Sequence, residues 1–188
     1  MAMDSDATPV AELVGDRGIV WNPEHGTQLY ANGYFGQPVG IRKPKSPEFD
    51  KPLELSLLEC TYLVGKNRLK VHDPLSDRML TLEDLIQLGL RRSDEFKDRF
   101  MVYSDLRARG FVIRPGLKFG TDFAVYEHGP GIDHAPFLVH VIPQRKGVYP
   151  LDIVRAGRLA TTVRKKFIIA TVKENGEIVY YSFVWHRP

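Results

Sequence analysis

Cysteine occurs once in the 188 residues, at Cys60. A single thiol excludes an internal disulfide framework and any zinc site built on cysteine. Its neighbours in LSLLECTYL are apolar, so it reads as a small buried hydrophobe. Long apolar runs are also lacking. None approaches the roughly 20 residues of a membrane span, and the polar N-terminus has no secretory core. A cytoplasmic protein with no membrane partner is expected. Charge of one sign is barely in excess: 26 Lys and Arg against 23 Asp and Glu give a net charge of +3. That permits nucleic acid without demanding it. HExxH, a Walker loop, a GxGxxG turn and a GxSxG elbow are all missing, and the chemistries those motifs carry lose their usual foothold.

What is present suits a globular protein: 43% hydrophobic and 26% charged residues, in a chain long enough for one large domain or two small ones. Residues 1–8 read as a frayed start. Gly18 to Val39, rich in Gly, Asn, Pro and aromatics, suggests short strands joined by turns. IRKPKSPEFDKP (41–52) has three prolines among polar residues and reads as an exposed loop. Ser56 with Glu59 forms a capping box before an apolar run. Thr81 opens a short helix that Gly89 should end, and Ser93 opens a longer one with Phe96, Phe100 and Tyr103 on one face and Gly110 at its end. The texture then changes. FVIR (111–114), TDFAVYE (121–127), FLVHVI (137–142), FIIATV (167–172) and EIVYYSFVW (177–185) read as strands. Asn175–Gly176 signals a hairpin between the last two. Pro150 to Lys166 reads as a helix with Ile153, Ala156, Ala160 and Val163 inward. The expectation is an α+β, mixed α/β fold: a small N-terminal α/β domain over 1–92, then a domain over 93–188 with a mixed sheet flanked by helices.

Chemistry could reside in YEHGPGIDH (126–134). Its histidines, His128 and His134, stand six apart with Asp133 between, and no second cluster completes a metal site. Gly129 and Gly131 suit a sharp turn between strands. The bland alternatives are a packing tyrosine, a loop histidine, and in Arg164–Lys165–Lys166 a solvated helix end that complements the dipole. The combination points elsewhere. Tyr126 ends one strand, His134 leads into the next, and Lys165 ends the following helix, so all three can meet at one sheet edge. A tyrosine, a histidine and a lysine suit transesterification at RNA, where the ribose 2′-OH is the nucleophile. That reaction needs a base, an acid for the departing 5′-oxygen, and a cation for the phosphorane charge. Helical spacing would set Lys165 and Lys166 about 100° apart and aim one of them into the site.

From Tyr103 to Pro188 the chain resembles the catalytic domain of archaeal tRNA-intron splicing endonucleases. YSDLRARGFVIRPGLKFGTDFAVY (103–126), HAPFLVHV (134–141) and RLATTVRKKFIIA (158–170) carry the likeness in order and nearly without gaps. Upstream, LYANGYFG (29–36) and LSLLECTYL (55–63) are similar to that family's N-terminal domain. The resemblance implies that Tyr126, closing DFxxY, is the general base. His134 is the general acid, and Lys165, the first lysine of RKK, is the transition-state cation. His128 has no counterpart among the family's catalytic residues. Arg158 and, near the C-terminus, Trp185 or Arg187 would sandwich a bulged base, since bases stack well on Arg and aromatic planes. The implied substrate is precursor tRNA folded as a bulge–helix–bulge. The implied products carry a 2′,3′-cyclic phosphate and a 5′-OH, with no metal and no cofactor.

The resemblance also implies assembly: a heterotetramer of two catalytic and two structural subunits, or a homotetramer. The apolar final strand Ile178–Trp185 would be buried against a second subunit, and the acidic loop 127–133 would dock on a neighbour. The loop 42–51 looks like the extra loop of crenarchaeal catalytic subunits, with Arg42, Lys43 and Lys45 reaching RNA phosphates. Two competing readings stand beside this one. The chain could be a structural, RNA-binding subunit of the same fold, or a metal-dependent nuclease using Asp122 and Glu127. A bland role for Asp122 is to orient its strand or to bond the adjacent glycine turn.

Overall fold

The computed structural model describes residues 7–183, with the exception of Lys43, Lys45, Asp133 and Val163. The chain forms two compact units, Met1–Phe96 and Lys97–Pro188. Its fold is mixed α/β in both units, each built on one mixed sheet. Among the described residues no helix is long and apolar enough to cross a membrane.

In the first unit, β1 (Val10–Val14), β2 (Arg17–Val20), β3 (Gln37–Pro38), β4 (Leu53–Ser56), β5 (Lys70–Asp73) and β6 (Arg78–Leu80) form a sheet in the order β3-β4-β2-β1-β5-β6. Only β1 and β5 pair in parallel. Its core holds Val20, Leu53, Leu55, Cys60, Leu63, Val71 and Leu85, all fully buried. Burial drives the Cys60 thiol far above its ordinary range, so it stays a protonated packing group.

Helix α2 (Leu57–Gly65) starts at the expected capping box, and the buried Glu59 carboxylate does more than cap. It accepts from Ser56 N and Oγ at 2.9 and 2.7 Å, and from Gly36 N at 2.8 Å, tying the helix start to the turn before β3. Two expectations fail in this unit. Residues 23–31 are a helix, α1 (Pro23–Ala31), rather than strands and turns. Asn22 caps it by accepting from Glu24 N and His25 N, and Pro23 sits at the first helical position, where its missing N–H costs nothing. Gly89 does not end its helix either. Helix α3 (Leu82–Arg92) runs through it, and the glycine is needed for space: a Cβ there would sit 2.2 Å from the Phe96 ring. The loop after β3 is exposed at Arg42 yet anchored. Phe49 packs edge-on to Tyr30 with centroids 5.7 Å apart, and its backbone bonds Thr27.

In the second unit, helix α4 (Phe96–Ala108) begins three residues after Ser93, whose N–H instead bonds Gly89 O at the end of α3. Strands β7 (Val112–Pro115), β8 (Phe123–Tyr126), β9 (Phe137–Val141), β10 (Lys166–Val172) and β11 (Ile178–Phe183) form a sheet in the order β11-β10-β9-β8-β7. All neighbours are antiparallel except β9 and β10, which the helix α5 (Pro150–Thr162) links as a crossover. Phe123 meets Tyr103 of α4, whereas Ala124 belongs to an apolar cluster against which Ile153 of α5 packs. Helices thus cover both faces of the sheet, so β8 is buried at Phe123, Ala124 and Val125 in succession instead of alternating. Val163 and the side chains of Ala156 and Ala160 lie outside what is described. The Asn175–Gly176 hairpin has three loop residues between Lys173 and Glu177, with Gly176 at φ +82°.

Helix α5 ends at Thr162, short of Lys166. Arg164 takes a left-handed φ of +53°, and Lys166 already opens β10, its N–H bonding Pro136 O at 2.9 Å. The β-branched residues Thr161 and Thr162 weaken the helix there, and the apolar strand pairing with β9 takes over.

Candidate active site

Three chain segments reach one end of the second sheet. Strand β8 runs antiparallel to β9, and β9 runs parallel to β10. The C-terminal end of β8 therefore lies beside the N-terminal ends of β9 and β10. Register makes this specific: Val125, Phe137 and Lys166 form one row across the three strands. One step further out lie Tyr126, Pro136 and Lys165, with His134 just ahead of them.

Alternation then decides which lysine shares a face with the tyrosine. Tyr126 packs against the cluster of Ala124, Ala135, Leu138, Phe167 and Ile169. Lys165 lies two residues before Phe167, on that same side, and its Nζ donates to Ala135 O. Lys166 goes to the other face, where its Nζ sits 5.9 Å from the Phe137 ring centroid. The helical spacing expected for this pair is corrected: a strand start, with side chains on opposite faces, separates them more sharply than a helix would. His134 is exposed, and Tyr126 and Lys165 are half-buried. The connecting loop turns at Gly129, whose carbonyl accepts from Ile132 N at 3.1 Å. His128 is exposed in this loop.

Arg158 is exposed on α5, and Arg42 is exposed at the start of the 42–51 loop in the first unit. Lys43, Lys45, Trp185 and Arg187 lie outside the described residues.

At the opposite end of β8 and β9 stands a charged hub that no sequence motif announces. Asp122, just ahead of β8, accepts from His140 Nδ1 at 2.7 Å and from Val141 N at 2.8 Å, and pairs with Arg99 at 2.7 Å. Its backbone carbonyl accepts from Gly116 N at 2.9 Å, so it serves both the strand and the adjacent glycine turn. Burial pushes its carboxyl up, but these donors outweigh burial and hold it below the usual carboxylate range. The hub ties α4, β8 and β9 together. Its carboxylate is committed to protein donors, which disfavours the metal-nuclease role for Asp122. Among the described residues no group of three His, Cys, Asp or Glu side chains is placed to hold a metal ion.

A second tyrosine is disqualified as a base. Tyr180 donates to Asp105 Oδ2 at 2.6 Å, and burial together with that carboxylate keeps its phenol protonated well above the ordinary range. Arg109 pairs with the same carboxylate at 2.8 Å and lies 5.4 Å over the Tyr180 ring. This group fastens β11 to α4.

Comparison with known proteins agrees with both units. Residues 96–180 match the family model described as tRNA intron endonuclease, catalytic C-terminal domain. Residues 10–86 match that described as tRNA intron endonuclease, N-terminal domain. The chain is 46% identical to a tRNA-splicing endonuclease of Hyperthermus butylicus over 95% of this chain and 98% of the relative. A tRNA-splicing endonuclease of Sulfurisphaera tokodaii is 40% identical over 94% of this chain and 98% of its own length. One from Saccharolobus solfataricus is 38% identical over 93% and 97%. Two matched domains in order, and relatives aligned over nearly their whole length, lead to one conclusion: the chain belongs to the tRNA intron endonuclease family.

Proposed function

We propose that this enzyme excises introns from precursor tRNA at bulge–helix–bulge motifs by transesterification, with the chemistry in the domain over 93–188. Tyr126, as phenolate, removes the proton of the ribose 2′-OH, and the 2′-oxygen attacks the adjacent phosphorus. Lys165 balances the extra negative charge of the phosphorane. As the P–O5′ bond breaks, His134 delivers a proton to the departing 5′-oxygen. The products are a 2′,3′-cyclic phosphate and a 5′-OH; neither a metal nor a cofactor enters any step. Each proton transfer contributes roughly 10²–10⁴-fold. The observation that supports this reading most is the register that sets Tyr126 and Lys165 on one face of one sheet edge, with His134 beside them. A free phenol titrates near ~10, and a neighbouring ammonium favours its ionised form.

Arg158 with Trp185 or Arg187 stacks a bulged base, and Arg42, Lys43 and Lys45 contact RNA phosphates. The working assembly is a two-plus-two heterotetramer with a structural subunit, otherwise a homotetramer, in the cytoplasm. The exposed Tyr181 and Phe183 on the edge strand β11 favour burial against another subunit.

The deciding experiment is cleavage of a bulge–helix–bulge RNA in excess EDTA, with analysis of the ends. Cyclic phosphate ends from the chain alone are expected for a homo-oligomer. Activity only after a structural subunit is added is expected for the two-plus-two form. Activity that returns only with a divalent metal overturns the Tyr126–His134–Lys165 mechanism.

A further inference from the structure

Trp21 is an indole displayed on the outer face of the first sheet, 58% exposed, where no catalytic role reaches it. Register explains the placement. Val20, Leu53 and Pro38 form a buried row across β2, β4 and β3. The next row, one residue further along each strand, is Trp21, Pro52 and Val39, and Val39 N bonds Pro52 O at 2.9 Å to close it. Alternation turns this row away from the core, and Val39 is 45% exposed. Val39 and Pro52 are also the two roots of the Pro-rich loop. An apolar strip headed by a tryptophan therefore lies at the base of a segment bearing Arg42, Lys43, Lys45 and Lys51 against Glu48 and Asp50.

The loop is held at both ends. Gln37 Nε2 donates to Ile41 O at one side, and Phe49 is fixed to Thr27 and Tyr30 of α1 at the other. Between these anchors the sequence carries Arg42, Lys43 and Lys45, and Arg42 is exposed. Exposed aromatic planes on surfaces rich in cations are how proteins hold unpaired nucleotides: the bases stack and the cations meet the phosphates.

We propose that Trp21 is a stacking platform for an unpaired base of the RNA substrate. This rests on the RNA-cleaving reading above. The excess of positive charge on the neighbouring loop favours RNA over a protein partner.

The test uses the full-length chain, in whichever assembly cleaves, and a bulge–helix–bulge RNA blocked by 2′-deoxy substitution at the cut sites. Trp21 and Trp185 are this chain's two tryptophans, so the emission that Trp21→Phe removes from a Trp185→Phe chain is that of Trp21. Saturating RNA is expected to quench it. Trp21→Ala should raise the Kd about 5- to 100-fold, and Trp21→Phe, which keeps a ring, less than about 3-fold. A stacking residue carries no charge, so the dependence of log Kd on log salt should keep its slope in Trp21→Ala, whereas Arg42→Ala should lower it by about 1. Unaltered emission, or a wild-type Kd in Trp21→Ala, overturns the proposal while wild-type cleavage leaves the splicing reading intact. Emission that shifts only on adding a structural subunit makes this face a protein interface and also overturns it. Failure of the wild-type chain to bind or cleave the RNA brings down both readings together.

Discussion

Asp122 is the residue on which the second unit turns. With His140, Val141 and Arg99 all engaged, the carboxylate joins two strands and a helix through a single group. Asp122→Asn should lower stability by about 2 kcal/mol at pH 7, less than the roughly 3–5 kcal/mol of a fully buried pair because Arg99 and His140 are partly exposed. The folded carboxyl titrates below the unfolded one at ~3.9, so its stabilisation is complete above that pH and is lost as pH falls through the folded value. Urea midpoints at pH 7 and pH 3 check this; the gap between wild type and variant should shrink at pH 3. Residue types at the candidate site are legible in the sequence: Tyr126, His134 and Lys165 stand out as a base, an acid and a cation for RNA transesterification. Their geometry is not. Whether Lys165 or Lys166 faces Tyr126 depends on where α5 stops, and the hub partners His140 and Arg99 sit in an apolar strand and a helix that carry no motif.

Elements with a local chemical start were readable, and those set by packing were not. Ser56 and Glu59 announced α2 because a cap is a short-range event. Helix α1 was obscured because Asn22–Pro23 serves equally as a turn and as a helix start, and its flanks are rich in turn residues. Gly89 misled for a related reason: a glycine near a helix end signals termination, but here it makes room for Phe96. Gly89→Ala should therefore destabilise by about 1–2 kcal/mol, since overpacking outweighs the roughly 1 kcal/mol of helix propensity gained. In a Phe96→Ala background the sign should reverse. Denaturation of the four proteins of this double-mutant cycle measures it, and loss of the same stability in both backgrounds would show that the ring is not the obstacle.

At the scale of the whole molecule, the mixed α/β class followed from the alternation of strand and helix patterns, and the parallel β9–β10 pair from the helix between them. The edge strand β11 presents Tyr181 at 51% and Phe183 at 39% exposure, a surface suited to a neighbouring subunit. Tyr181→Glu and Phe183→Glu should each reduce the sedimenting mass of the assembly and its cleavage rate together; full activity at unchanged mass would place the subunit contact elsewhere.

The crossover through α5 has a kinetic consequence. Tyr126 and Lys165 come from strands that flank β9, and they become neighbours only when β10 docks beside it, closing a loop that runs from Val141 to Lys166. Non-local parallel pairing is slow relative to helix formation, because the loop entropy is lost before the contacts form. On refolding from urea, helical circular dichroism should return before RNA cleavage does, at protein concentrations where assembly is not limiting. The last structure to form would then be the edge at which we propose the RNA is cut.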